Sequence, residues 1–353
     1  MVKINDILEK WYSKNKRHFW WREKRDTYTI WIGEIIFQQT RISQGDEYLK
    51  RFLDRFPDVR SLASADEGEV MKMWQGLGYY SRARNLHRAA QLIVAEYGGR
   101  FPGTYSAWLS VPGVGPYTAA MIASLACGEK KAAADGNIQR VVARWKMLPH
   151  QSASAQLMNE VVSILGNEMG EMHPGVFNEA MMDLGATVCL PKNPLCTSCP
   201  FAKHCQAFLK RKTHLYPVRK TAAVRKTRKI VYLMIPCKKG LIMRKRKGMG
   251  IWESLYDFPS LEYDKPWPAK KRVAEDLNAL LRQNNGYIVY DKQVHKLTHM
   301  TLELEFLLFG KGTLPEKNKE WICISQNALQ RFAFPVPVEK ILKSLGNKLP
   351  LFL

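Results

Sequence analysis

Apolar residues recur at helical spacing through roughly the first two hundred positions, and the period shortens to that of strands only beyond about residue 229. Residues 4–14 read as an amphipathic helix, followed by the aromatic and basic run His18-Phe19-Trp20-Trp21-Arg22. From 45 to 99 the pattern stays helical, with Tyr48, Leu49, Phe52, Leu53 and Phe56 on one face and Leu86, Ala89, Leu92 and Ile93 on a later one. Further helices are expected over 117–126, 141–147 and 178–187. A basic connector, 206–228, contains Pro217 and no acid, as a domain boundary does. Beyond it, 229–237 and 241–246 read as strands joined by the turn Lys238-Lys239-Gly240, and 301–309 alternates Leu302, Leu304 and Phe306 with Thr301, Glu303 and Glu305. With helices expected over 268–282 and 337–345, the chain divides into an all-α body and a smaller mixed α/β domain.

One stretch breaks the helical pattern. Ile30-Trp31-Ile32-Gly33-Glu34-Ile35-Ile36-Phe37-Gln38-Gln39-Thr40 places a lone carboxylate in an otherwise apolar helix. On a 3.6-residue period Glu34 shares its face with Ile30, Phe37, Gln38 and Arg41, while Trp31, Ile32, Ile35 and Ile36 form the buried stripe. Partial desolvation there disfavours the charged form and raises the pKa towards the range where the group donates a proton near neutral pH. The plainer alternative is an acid at the helix rim, paired with Arg41 or capped by the glutamines.

Three other segments carry candidate chemistry. Gln75-Gly76-Leu77-Gly78-Tyr79-Tyr80-Ser81-Arg82-Ala83-Arg84 joins glycines to paired aromatics and arginines, which suits either a loop that wedges a ring into a base stack or a helix–helix turn with buried tyrosines. Val111-Pro112-Gly113-Val114-Gly115 is a tight turn opening on Pro116 at a helix start, where free backbone N–H groups can hold a DNA phosphate. In Ala134-Asp135-Gly136-Asn137, both Asp135 and Asn137 read as helix caps. Glu179 and Asp183 stand at i and i+4 in an apolar helix.

Composition narrows the class. The 353 residues are 46% hydrophobic, contain no low-complexity tract, and fit two or three globular domains. No apolar run approaches a membrane span and the N-terminus lacks a signal-peptide core, so a soluble, cytoplasmic protein is expected. Between Asp183 and Glu253 there are 17 Lys or Arg and no acid, within a chain of formal charge +22; a polyanion such as nucleic acid is the partner this charge fits. Seven cysteines in such a compartment argue against a disulfide framework. Cys127, Cys237 and Cys323 sit in apolar surroundings and are read as core residues. The other four, Cys189, Cys196, Cys199 and Cys205, lie within seventeen residues and ask for a metal. Zinc accepts four thiolates, but its ribbons use two separated knuckles; the uneven spacing on one loop suits a cubane iron–sulfur cluster better.

Taken in order, these motifs resemble the MutY-type adenine DNA glycosylases of the helix-hairpin-helix iron–sulfur superfamily, over almost the whole chain. The resemblance rests on Trp21-Arg22, Trp31-x-x-Glu34-x-x-x-Gln38-Gln39-Thr40, Gly76-Leu77-Gly78-Tyr79-Tyr80-x-Arg82-x-Arg84, the 111–118 hairpin, Asp135-Gly136-Asn137, Asn178-x-Ala180-Met181-Met182-x-Leu184-Gly185-Ala186 and the four cysteines. It implies a monomeric enzyme acting on double-stranded DNA, which removes adenine paired with 8-oxoguanine or guanine and carries a [4Fe–4S] cluster on its cysteines. Glu34 matches the acid that protonates adenine at N7, and Asp135 the carboxylate that stabilises the oxocarbenium-like sugar, with Tyr117 and Asn137 orienting the pair. Trp21, Arg22 and Glu179 match the pocket for the flipped adenine. Gln38, Gln39, Thr40, Tyr79, Tyr80, Arg82, Arg84 and the turn Pro112 to Gly115 match DNA contacts, Gln39 and Tyr79 among them as wedges.

The same resemblance implies a cluster-bearing helical subdomain from 1–25 and 134–205, a second helical subdomain over 26–133 containing the hairpin, the 206–228 connector, and a Nudix-like lesion-recognition domain over 229–353. The Nudix acid cluster is absent, so nucleotide hydrolysis is not expected. The lesion-reading Phe-Ser-His of the family stands here as Leu297-Thr298-His299. Endonuclease III-type bifunctional enzymes are the alternative; they carry a lysine nucleophile where this chain has Tyr117, so base removal without efficient strand cleavage is expected. A non-enzymatic iron–sulfur DNA-binding protein ranks last, because acids stand at both 34 and 135.

Overall fold

The structure, a computed structural model, describes residues 4–219, 225–238, 240–248, 250–283, 286–311, 313–315 and 318–346. Residues 220–224 of the expected connector and Lys239 of the expected turn lie outside these. Two compact units result, one formed by Met1–Ser64 with Asn85–Ala222, the other by Ala65–Arg84 with Ala223–Leu353.

The first unit is helical. Helix Ile4–Asn15 buries Ile4, Leu8 and Tyr12 on one stripe, as its period demands. Helix Thr27–Phe37 starts at Asp26, whose carboxylate accepts from the Thr29 amide at 2.8 Å, and it is buried on nearly every side. Ile30, expected on the partly exposed face with Glu34, is buried as well. Helices Tyr105–Leu109 and Pro116–Cys127 form the expected hairpin, with Pro116 at the first helical position. Between them Gly113 adopts φ +77°, and a Cβ there would lie 2.7 Å from the Asn85 Cβ, so both conformation and space require glycine. Helices Gly136–Lys146, Ala155–Glu168 and Pro174–Thr187 complete the core around Leu157, Val161, Phe177, Met181 and Leu184. Helix 155–168 was not singled out in the sequence. Among the described residues, no helix is long and apolar enough to cross a membrane.

The second unit is α/β. Strands run in the order Ser260–Asp264, Lys226–Met234, Met300–Phe309, Tyr287–Lys296, with only the central pair parallel. Leu302, Leu304 and Phe306 point inward as the alternation demanded, and Leu307 to Phe309 are buried too. A second sheet pairs Gly240–Lys245 with Trp321–Ser325, Pro236–Cys237 and Tyr256–Asp257. The helix expected over 268–282 stops at Leu280, because Leu281–Gln283 pairs with Leu314–Pro315 as a strand. Ala65–Arg84, read from sequence as part of the helical half, packs here: Lys72 donates to the Phe332 carbonyl at 2.9 Å and Glu67 pairs with Lys245 at 3.2 Å.

Two cysteine readings are corrected. Cys127 is exposed at the end of its helix. Cys237 and Cys323 form a disulfide between the two strands that flank Gly240–Lys245, their Cα atoms 6.0 Å apart. A side chain at Gly240 would run into the Ile324 carbonyl oxygen, so glycine lets these strands close up. The pairing spans 86 residues and depends on strand register, which no local pattern displays. Denatured without reductant, the protein should therefore offer five reactive thiols, and seven after reduction. Reduction should lower the stability of the second unit by about 2 to 4 kcal/mol. Seven reactive thiols before reduction would remove the bond.

Candidate active site

A cavity of about 780 Å³ opens among the helices of the first unit. Glu34 reaches it from helix Thr27–Phe37, Tyr117 from the first turn after the hairpin, Asp135 and Asn137 from the start of helix Gly136–Lys146, and Glu179 from helix Pro174–Thr187. Trp21 and Arg22 complete the wall, Trp21 stacked between Phe19 and Phe37 with ring centroids 4.6 and 4.7 Å away. Residues as far apart in the chain as Trp21 and Glu179 thus meet in one place.

Burial is the largest influence on Glu34 and pushes its pKa up to about 7. The nearby Arg22 charge and a hydrogen bond from the Tyr117 hydroxyl pull the other way, and the charges of Glu179 and Asp135 push up again. The same burial, next to the Glu34 charge, raises Tyr117 well above an ordinary phenol, so it donates as a neutral hydroxyl. Asp135 is raised by burial, against hydrogen bonds to its carboxylate: Oδ1 accepts from the Ile138 amide at 2.7 Å, and Oδ2 accepts from the Asn137 side chain at 3.0 Å. The cap reading of Asp135 is correct, and one oxygen caps while the other faces Asn137. Asn137 packs so closely on Gly185 that a Cβ there would lie 2.7 Å from the Asn137 Cβ.

A residue the sequence showed only as an acid among apolar neighbours organises the other wall. Asp183 is fully buried and accepts five hydrogen bonds, from the Arg17 amide, Arg17 Nε and Nη2, and Arg22 Nη1 and Nη2, at 2.6 to 3.0 Å. Burial alone would raise its pKa; Arg22 and Arg17 outweigh it and hold the carboxyl below its ordinary value. Arg22 is fixed by this pair and also meets Glu179 at 3.5 Å, while Arg25 reaches Glu179 at 3.2 Å and the Tyr12 hydroxyl donates to it at 3.4 Å. The i and i+4 spacing of Glu179 and Asp183 was the signal for this network.

Helix 136–146 also grips the cysteine loop. Arg140 donates to Asn137 Oδ1 at 2.9 Å, the Gly185 carbonyl at 2.8 Å and the Cys189 carbonyl at 2.7 Å; Arg144 donates to the Leu190 carbonyl at 2.6 Å and lies 3.4 Å from the Cys189 sulfur. Cys189, Cys196, Cys199 and Cys205 all line one small cavity. Among the described residues no three His, Cys, Asp or Glu side chains are grouped tightly enough to hold a metal ion. Burial, with the neighbouring cysteine sulfurs adding to it, pushes the Cys199 thiol up to about 12. Four cysteine sulfurs lining one cavity are the donor set that an iron–sulfur cluster takes.

The remaining sites divide by exposure. At the end of its helix Gln39 is exposed at φ +55°, Thr40 is half-buried, and Gln38 donates to the Thr118 hydroxyl at 3.0 Å. In the hairpin Gly113 and Gly115 are exposed, Pro112 is half-buried and Val114 is buried. Tyr79 is exposed at φ +48°, whereas Tyr80 is buried with its hydroxyl accepting from the Gly76 amide, and Arg82 folds back to the Gly78 carbonyl. Arg84, read as a DNA contact, is turned inward onto Glu253. Gln39 and Tyr79 are two of eight non-glycine residues with left-handed backbone among the described residues. Leu297, Thr298 and His299 form the turn between strands Tyr287–Lys296 and Met300–Phe309, the Leu297 amide donating to the Met300 carbonyl at 2.9 Å. The Tyr79 hydroxyl is hydrogen-bonded to the Thr298 hydroxyl. Both line a second cleft, of about 1360 Å³, which holds neither Glu34 nor Asp135.

Known proteins agree with this layout. Residues 32–165 match the model of the HhH-GPD superfamily base excision DNA repair proteins, and 230–344 match a NUDIX domain. An adenine DNA glycosylase of Buchnera aphidicola subsp. Acyrthosiphon pisum is 28% identical over 98% of both chains. The Homo sapiens adenine DNA glycosylase is 37% identical over 57% of this chain and 38% of its own. A solved thermostable thymine-DNA glycosylase superposes with TM-score 0.54 at 28% identity, covering 59% of this chain and 95% of that one. An endonuclease III–DNA complex shares the fold at 21% identity and TM-score 0.50, over 59% of this chain and 94% of its own. With a region matching the HhH-GPD base excision repair model, a region matching a NUDIX domain and an adenine DNA glycosylase aligned over 98% of both chains, the chain is similar along its length to the adenine DNA glycosylases.

Proposed function

We propose that this DNA glycosylase excises adenine opposite 8-oxoguanine, with guanine as the weaker partner, and that it is monofunctional. The observation that carries the chemistry is Glu34, an acid brought to about 7 in a cavity shared with a second carboxylate. Half protonated near neutrality, Glu34 protonates adenine N7 and makes the base a leaving group. Asp135, braced by Ile138 and Asn137, stabilises the positive sugar that remains. Arg22, fixed by Asp183, and Glu179 hold the flipped base against Trp21. Tyr117 supports a hydrolytic outcome, since a neutral phenol hydrogen-bonded to Glu34 cannot form a Schiff base with the sugar.

Within the helical body, 1–25 with 134–205 and 26–133 serve as the two subdomains between which this cavity opens, and 229–353 reads the opposite base. The exposed wedges Gln39 and Tyr79 and the exposed hairpin glycines Gly113 and Gly115 engage the duplex. Cys189, Cys196, Cys199 and Cys205, which line one cavity, would hold a [4Fe–4S] cluster through their thiolates. The enzyme works as a cytoplasmic, nucleoid-associated monomer.

Glu34→Gln should keep DNA binding and lose base release by at least about 10² to 10⁴ in single turnover, and Asp135→Asn should be comparably severe. In the wild type, release should fall as pH rises through about 7, where Glu34 gives up its proton. Because the folded pKa lies above the ordinary 4.5, the stability contributed by neutral Glu34 is complete below 4.5 and lost as pH rises past 7. Glu34→Gln should thus melt like wild type at pH 4.5 yet be more stable at pH 8, by up to about 3 kcal/mol. A drop in activity of less than about tenfold would take Glu34 out of the acid's role.

Anaerobically purified protein should be brown, with iron and sulfide near four per chain, the content of a cubane cluster. Stoichiometric zinc without iron would refute this assignment.

Duplexes with adenine opposite 8-oxoguanine, guanine or thymine test the substrate directly, and product strands should break only after alkali. A single lysine trapped to DNA by borohydride would contradict the monofunctional reading. Thr298→Ala with His299→Ala should reduce the preference for 8-oxoguanine over guanine by roughly tenfold to a hundredfold while base release survives, the size expected of a polar contact to a base edge. An unchanged preference would return lesion reading to the catalytic half.

A further inference from the structure

The cleft that holds Tyr79 and Thr298 has another wall, the loop between strands Gly240–Lys245 and Tyr256–Asp257. Its backbone is strained. Trp252 and Ser254, neither of them glycine, adopt φ +60° and +68°, and for a side chain as bulky as tryptophan that is a conformation the surroundings must impose. The Leu255 amide donates to the Trp252 carbonyl at 3.1 Å, and both residues are buried. The Ser254 amide donates to the Arg246 carbonyl at 2.8 Å, and between these two strained residues Glu253 is gripped by Arg84, Nη1 on its carbonyl at 2.6 Å and Nη2 on its carboxylate at 2.7 Å.

Arg84 follows Tyr79 by five residues, and Trp252 precedes Glu253. The Trp252 ring packs against His295 at 5.7 Å, on the strand that leads into Leu297-Thr298-His299. The contacts therefore close a circuit around the cleft: Tyr79 to Thr298 on one side, and Arg84 through Glu253, Trp252 and His295 to the same turn on the other. The first link is a single exposed hydroxyl pair. The second is a forked, charge-assisted grip by an arginine that is itself buried.

We propose that Glu253 is a positioning residue for opposite-base recognition: by holding Arg84 it locks the Trp252 loop and sets the Thr298 turn at a fixed distance from Tyr79. It touches no substrate and acts through its neighbours. The proposal rests on the reading of the Thr298 turn as the reader of 8-oxoguanine.

Single-turnover rates opposite 8-oxoguanine and opposite guanine, together with thermal melting, test it on Glu253→Gln, Glu253→Ala and Thr298→Ala in the full-length protein. Glu253→Gln keeps the shape and loses the charge, so it serves even if the alanine variant folds poorly. Both should lower the preference for 8-oxoguanine, by about threefold to tenfold for alanine and less for glutamine, with the guanine rate held, while the alanine variant melts earlier because buried Arg84 loses its charged partner. A folded Glu253→Ala protein with full preference overturns the clamp, and loss of preference by Thr298→Ala in the same assay leaves the turn's reading intact. If both rates fall in the same proportion, Glu253 is merely structural and the proposal fails. If neither residue alters the preference, the turn does not read the lesion and the clamp falls with that reading.

Discussion

An acid buried in an apolar helix constrains everything around it. Taking a carboxylate out of water is unfavourable, and on helix Thr27–Phe37 the surroundings let that effect win by only a modest margin, leaving Glu34 near 7 and not far above it. Moving from 4.5 to about 7 corresponds to about 3 kcal/mol withheld from the charged form. Arg22 and Tyr117 keep the margin small, so both must be held in place. Arg22 is held by Asp183, which is why a residue that faces no substrate accepts five hydrogen bonds. Tyr117 is held by the helix that the Gly113 turn launches.

Asp135 meets the same burial and is raised by it as well, but against different partners. A backbone amide and an asparagine side chain, with the Arg140 charge nearby, oppose the rise, whereas Glu34 has a phenol and a single arginine shared with Glu179 and Asp183. Two carboxylates in one cavity are thus surrounded by different partners, a phenol for one and a backbone amide with an asparagine for the other.

The helical half was readable because its burial is periodic: a stripe such as Leu8 and Tyr12, or a cap such as Asp26, is written in a few consecutive residues. Glu34 stood out because it broke that rule. What stayed hidden depends on register between distant segments. The Cys237–Cys323 bond, the packing of Ala65–Arg84 with the second unit and the inward turn of Arg84 all follow from strand pairing and loop backbone, and in sequence Arg84 looks as free as any arginine in a basic run. Asp183 lay between, since its spacing from Glu179 was visible but its partners, 161 and 166 residues away, were not.

The helix that Asp135 caps shows how the cysteine loop bears on the chemistry without taking part in it. Arg140 lies one turn along from the cap and donates at once to Asn137, to the Gly185 carbonyl and to the Cys189 carbonyl. Asn137 has little freedom of its own, because Gly185 presses against its Cβ. A shift of the loop at Cys189 must therefore pull on Arg140, and Arg140 on the side chain whose amide steadies Asp135. Cysteines remote from the base can in this way influence its release through a chain of hydrogen bonds, each below 3.1 Å. The cysteine loop and the second carboxylate are thus joined by direct hydrogen bonds, so the loop's place in the molecule has a geometric reason before any electron transfer is invoked.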